Sequence, residues 1–460
     1  MSGESKIPAR DTAYLVLREI EERDAYANLA LKRFLDGHNV TPVDARLAAE
    51  IVYGTARMRL ALDCLLTGLL RQPLEQLQPE AATILRLSLY QLHYLDKVEA
   101  YAVTDEAVKL TRRYAKPALT GLVNAVLRNY LRQAEQKGRE ALLPPPDDLR
   151  RYLQITLSYP DWLVSYLLAN FGPERALAIC RAGNAHPGLW LRANTLRVGR
   201  DELAAELNAA GYPCRAAGYA PETLLLERGA GLTATPAFTA GRFLLEGPAS
   251  QLVAHALQPQ PGSRVIDLAA APGGKTTHLA ALMQNRGEIA AFDIHEHKTR
   301  LIRDNCRRLG VEIVRTAVAD GAALPETWRG WADALLLDAP CSGLGVLAAR
   351  ADSRHHKTAA DLPALAAQQA KMLRAAAAYV RPGGRLCYST CTLAHEENED
   401  NVRRFLADHP DYHLLPLTTL AGWLPPLYRA QAAQGMVQLL PDEQGMEGFF
   451  LALMEKGEEV

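Results

Sequence analysis

The stretch that most constrains this chain is Arg264-Val-Ile-Asp-Leu-Ala-Ala-Ala-Pro-Gly-Gly-Lys-Thr-Thr277. Val265, Ile266 and Leu268 form a short apolar run that reads as a buried parallel strand. Small residues follow, then Pro272, Gly273, Gly274 and Lys275, before helical apolar spacing begins at Leu279, Leu282 and Met283. Strand, glycine turn and helix open the ligand crevice of a doubly wound α/β sheet, where glycines admit the ligand and a helix N-terminus points at it. Gly274-Lys275-Thr276 match the end of a phosphate-binding P-loop, but its leading glycine position holds Ala269. The dinucleotide fingerprint G-x-G-x-x-G is absent too. The next strand, Ile289-Ala-Ala-Phe-Asp293, ends in an acid that suits a ribose diol rather than a phosphate. A nucleoside-bearing ligand without a polyphosphate points to S-adenosyl-L-methionine.

A chain of 460 residues predicts two or three domains. Hydrophobic content of 48% suits ordinary soluble cores, and no apolar run reaches membrane length. The first residues lack the apolar core of a signal peptide, and seven cysteines show no framework spacing. A reducing, cytoplasmic setting is therefore expected. The net charge of −1 does not advertise a nucleic-acid binder, yet phosphate affinity depends on local patches. The densest basic stretch runs through Lys109, Arg112, Arg113, Lys116, Arg128, Arg132, Lys137, Arg139, Arg150 and Arg151. Its plain alternative is a solvated helical face.

Taken in order, residues 1–142 read as all-helical. Thr41, Pro42 and Asp44 mark a helix start, and Leu122, Val123, Val126, Leu127, Tyr130 and Leu131 an amphipathic face. Pro144-Pro-Pro-Asp-Asp148 centres a linker over 143–153. A small α+β module is expected over 154–240, with strands at Leu189–Asn194, Leu224–Leu226 and Phe243–Leu245. From 241 to 460 apolar strands alternate with helices in a mostly parallel sheet.

Three further motifs follow the opening stretch: Asp338-Ala-Pro-Cys-Ser342, Tyr388-Ser-Thr-Cys-Thr392 with Glu396-Glu-Asn-Glu399, and Gly448-Phe-Phe450. Together with Asp267–Thr276, their order and spacing resemble the signatures of the RNA cytosine-C5 methyltransferases. Val52-Tyr-Gly-Thr-Ala-Arg57 and Gly121-Leu-Val-Asn-Ala-Val-Leu-Arg128 resemble a NusB-like RNA-binding helical domain. The resemblance implies a Rossmann-like methyltransferase domain using S-adenosyl-L-methionine, preceded by the NusB-like domain and an RNA-recognition-like module. It also implies that Ala269, Ala270, Ala271, Pro272, Gly273, Gly274 and Lys275 wrap the cofactor. Asp293 is expected on the ribose hydroxyls, Asp320 on the adenine side, and Asp338 between cofactor and target base. The architecture resembles that of family members acting on small-subunit ribosomal RNA, so that RNA is the expected partner, and a monomer is expected. A tRNA substrate, or a non-catalytic assembly factor, is the alternative.

Cytosine C5 is a poor nucleophile. A thiolate adding to C6 makes C5 enamine-like, so covalent catalysis asks for an activated cysteine and a polar group at the N3 edge. The resemblance assigns Cys391 as nucleophile and Cys341 to product release, with Asp338 and Lys275 holding the base. Cys64, Cys180, Cys214, Cys306 and Cys387 are expected only to pack. His295 with His297, and His355 with His356, lack partners at ligand spacing, so no metal is expected. Arg350, Arg354 and Lys357 are placed to reach an RNA backbone, with uncommitted surface charge as the plain alternative.

Overall fold

A computed structural model describes residues 6–350, 352–442 and 445–458. The chain divides into two compact units, one through Ala185 with Leu347–Ala359, the other His186–Val346 with Ala360–Val460. The division falls after the expected Pro-rich linker, which lies inside the first unit.

The first unit is helical. Pro79–Tyr94 is its interior helix, with Ile84, Leu85, Leu87, Leu89 and Leu92 all buried. The helices Ala9–Arg23, Pro42–Arg57 and Ala100–Tyr114 pack around it. The start at Pro42 is capped as expected: the Asp44 amide donates to Thr41 Oγ1 over 3.1 Å. Gly54 is required where it sits, since a Cβ there would fall 1.8 Å from Tyr90 Cζ. A further helix, Asp161–Ala182, breaks at Gly172, whose φ is 75°.

Segment 347–359 completes this unit, and here one expectation is corrected. Arg354 is buried, not turned to an RNA backbone: its guanidinium lies 3.9 Å from the Tyr159 ring centre. It donates to Asn184 Oδ1 and Gly183 O at 2.8 and 2.9 Å. Asp352, also buried, accepts from the Ala27 amide.

In the second unit, β1 (Leu189–Ala193), β2 (Cys214–Ala216), β3 (Thr223–Leu226) and β4 (Phe243–Leu245) form an antiparallel sheet ordered β2-β3-β1-β4. The helix Arg200–Ala209 covers it through Leu203 and Leu207. The larger sheet contains β5 (Arg264–Asp267), β6 (Glu288–Asp293), β7 (Val314–Val318), β8 (Ala332–Asp338), β9 (Val380–Thr390), β10 (Tyr412–Leu414), β11 (Met436–Leu439) and β12 (Phe449–Lys456). Its order is β10-β12-β9-β8-β5-β6-β7, with β11 paired to β12. Strands β5 to β9 run parallel, whereas β12 lies antiparallel to β9. Helices cover both faces: Val265 and Leu336 pack with Leu252 and Leu279, Ile266 and Leu335 with Leu373. Burial on both sides explains why these strands read as continuous apolar runs. Strand order reverses at β5, between β6 and β8, which opens a crevice at the strands' carboxyl ends.

Candidate active site

The turn after β5 is built by short backbone bonds. The Gly273 amide donates to Ala270 O over 2.7 Å, and the Ala270 amide to Phe292 O over 2.9 Å. Gly273 has φ 99°, a conformation that favours glycine. The helix Gly274–Leu282 then begins, and Thr276 Oγ1 donates to Asp267 Oδ2 at 2.7 Å. Asp267 Oδ1 is buried without a hydrogen-bond partner among the described residues. Burial chiefly pushes its carboxyl up to about 7, and Asp338 adds to the rise.

Lys275 turns inward. Its Nζ donates to Asp338 Oδ2 over 2.8 Å and lies 5.2 Å from the Phe449 ring centre. Burial opposes its charge, but Asp338, Glu246 and Cys391 prevail and hold the ammonium above its ordinary range. Asp338 ends β8, and its Oδ1 accepts from Ser389 Oγ at 2.8 Å. The two motif cysteines meet in the same place, Cys341 Sγ 3.3 Å from Cys391 Sγ. Contact with Cys391, and then burial, raise the Cys341 thiol well above its ordinary value. Lys275, Asp338, Cys341 and Cys391 thus form one cluster.

Asp293 ends β6, and Asp320 follows β7. Asp293 Oδ1 accepts from the His295 amide at 3.0 Å, and Asp320 Oδ1 from the Ala322 amide at 2.9 Å. A Cβ at Gly321 would fall 2.8 Å from Leu268 O, so the backbone runs close there. By contrast, Cys387 is buried and its thiol is pushed up to about 12. It takes no part in the cluster.

Two supports for the cluster go beyond the sequence reading. Glu397, wholly buried, accepts from the Ser342 amide at 2.9 Å, from Ser342 Oγ, and from Gln369 Nε2 at 2.7 Å. Ser342 Oγ also meets Thr392 Oγ1 at 2.6 Å, and the Gly345 amide donates to Cys391 O over 3.0 Å. The loops carrying Cys341 and Cys391 are therefore pinned together through one acid. Arg192, on β1, donates to Glu246 Oε2, Gly274 O and Thr277 Oγ1 at 2.5, 2.7 and 2.8 Å. It braces the glycine turn from the smaller sheet. The motif Glu396-Glu-Asn-Glu399 carried a signal for the first support; nothing local marked the second.

On the first unit, Arg112, Lys116, Arg128 and Lys137 are exposed and make no ion pair among the described residues. Lys109, Arg113, Arg139 and Arg150 are partly neutralised by acids.

The chain matches three family models: 16S rRNA methyltransferase RsmB/F over residues 254–455, the NusB family over 7–132, and an RsmF/B-like ferredoxin-like domain over 159–233. It is 36% identical to the probable ribosomal RNA small subunit methyltransferase B of Synechocystis, covering 98% of this chain and 100% of that one. The Bacillus subtilis counterpart is 35% identical, over 98% and 99%. The ribosomal RNA small subunit methyltransferase B of Pseudomonas putida is 34% identical, over 94% of each. Among solved structures, PH0851 covers 98% of this chain and all of its own, at TM-score 0.80 and 27% identity. NSun6 from Pyrococcus horikoshii with SFG covers 66% of this chain and 99% of its own, at TM-score 0.59 and 26% identity.

Proposed function

The chain belongs to the RsmB/F family of 16S rRNA methyltransferases, and from that premise we propose that it methylates C5 of a cytidine in small-subunit rRNA, with S-adenosyl-L-methionine as donor and Cys391 as covalent nucleophile. The observation that carries this reading is the clustering of two thiols with a Lys–Asp ion pair at a sheet's switch point.

The crevice suits the donor. The orphaned Oδ1 of Asp267, at the end of β5, leaves one acceptor for a polar ligand. Ala269 to Lys275 would wrap the donor, with Asp293 at its ribose, Asp320 at its adenine and Asp338 towards the target base. When bound, it supplies a methyl group on a positively charged sulfur. The chain's own residues do the rest. Cys391 Sγ adds to C6, the C5=C6 bond opens, and C5 takes the methyl group. Loss of the C5 proton to a base and cleavage of the C6–S bond then restore the ring. Asp338 and Lys275 hold the base by its polar edge. Cys341 Sγ, 3.3 Å from Cys391 Sγ, stands where a second thiol can assist release. The exposed cations Arg112, Lys116, Arg128 and Lys137 are available to an RNA backbone.

Labelled S-adenosyl-L-methionine, offered with unmodified small-subunit rRNA or bulk tRNA, tests the proposal. Label at C5 of rRNA cytosine, lost in Cys391→Ala, is expected, together with an accumulating RNA adduct in Cys341→Ala. Label on tRNA alone would shift the substrate. Donor binding without transfer would leave a binding factor.

A further inference from the structure

Away from the cysteines, Glu222, His255 and His278 meet from three parts of the second unit. They come from the loop before β3, the helix Pro248–Leu257 and the helix Gly274–Leu282. One carboxylate oxygen and two imidazole nitrogens lie within 4.8 Å of one another. Both rings turn Nε2 to the same atom, His255 at 2.8 Å and His278 at 2.6 Å from Glu222 Oε1. Glu222 and His278 are 4% and 2% exposed, and the Trp423 ring lies against His255 at 4.7 Å.

Hydrogen bonding accounts for only half of this arrangement. His255 meets the carboxylate in hydrogen-bond geometry. His278 Nε2 crowds the same oxygen at 2.6 Å, and its Nδ1 has no hydrogen-bond partner among the described residues. Two buried imidazoles crowded onto one carboxylate oxygen call for an explanation, and an ion is one that structures supply. The carboxylate's ion-pair partners among the described residues are these two rings, so with neutral imidazoles it carries an uncompensated buried charge. A cation placed between the three atoms would take all three lone pairs at once. Nitrogen and oxygen ligands about 2.0–2.2 Å from zinc stand roughly 3.3 Å apart, so the cluster needs to open by only about half an ångström.

We propose that Glu222, His255 and His278 bind one divalent transition-metal ion of the zinc class, with water completing the set, as a structural site. Two imidazoles and one carboxylate favour zinc over the oxygen-loving calcium and magnesium. The ion would tie the helix that begins at the glycine turn to the smaller sheet. The sequence concealed the set because its members are 33 and 23 residues apart in chain order.

Full-length protein without a polyhistidine tag, treated with chelator and titrated with Co2+, provides the test. One equivalent should bind with visible d–d absorption and without the intense near-ultraviolet band of a thiolate ligand, and Zn2+ should displace it. Added Zn2+ should raise the melting temperature of the wild type, and His255→Ala and His278→Ala should each lose the cobalt spectrum. Wild-type protein that binds less than a tenth of an equivalent, with an unmoved melting temperature, would overturn the proposal even if neither variant folds. So would a thiolate band removed by Cys341→Ser with Cys391→Ser.

Discussion

At the scale of single residues, the acid at the end of β5 is more than a strand-end marker. Asp267 is 1% exposed with one orphaned oxygen, and burial raises its carboxyl from 3.8 to about 7. The folded chain therefore keeps a proton that the unfolded chain releases between those values. Its contribution to stability is fully present below about pH 4 and is lost as pH rises through 7. Between pH 6 and 8.5 the wild type should lose about 1.4 kcal/mol from this group, and Asp267→Asn should not. Urea unfolding of both proteins at the two pH values checks this; parallel losses would refute it. The meeting of Cys341 and Cys391 was legible because the motifs around them are specific and lie at the ends of adjoining strands. The burial of Asp267 was not, since it depends on neighbours far along the chain.

At the scale of elements, the site depends on loops held by groups that do no chemistry. Glu397 can accept from Ser342, Gln369 and Thr392 only as a carboxylate. Glu397→Gln replaces one acceptor by donors facing donors. Turnover should fall roughly 10- to 100-fold as the cysteine loops drift, with cofactor affinity unchanged. Single-turnover rates beside calorimetric binding separate the two, and a matching fall in affinity would disprove the clamp. The parallel strands of the larger sheet were readable from apolar runs buried on both faces. The edge was less so. β10 and β11 have three and four residues, too few to show a period, and nothing in the periodicity of β12 reveals that it runs antiparallel.

At the scale of the whole molecule, the first unit is discontinuous, and its closing piece carries a buried cation. Arg354 was misread as a surface group because a short charged segment looks solvated when its partners lie far away in sequence. Its planar fork is matched to Asn184 and Gly183 while its face lies on Tyr159. Removing it should destabilise the first unit by about 3 kcal/mol, and lysine should not rescue it. Hydrogen exchange checks this: Arg354→Met should deprotect residues 153–159 and 176–184, whereas Arg350→Ala should not. Equal protection in the two variants would show the buried cation to be dispensable. Composition marks breaks in local pattern, such as the Pro-rich stretch, and not the return of a distant segment.

That return has a consequence for how the protein is made. Arg354 follows Gly183 by 171 residues. At roughly 5–20 residues per second, translation leaves the helical unit without its last piece for about ten to thirty seconds. Throughout that interval Tyr159, Gly183 and Asn184 have emerged without the cation that completes them. The N-terminal unit, first to be synthesised, can finish folding only when most of the chain has left the translating machinery.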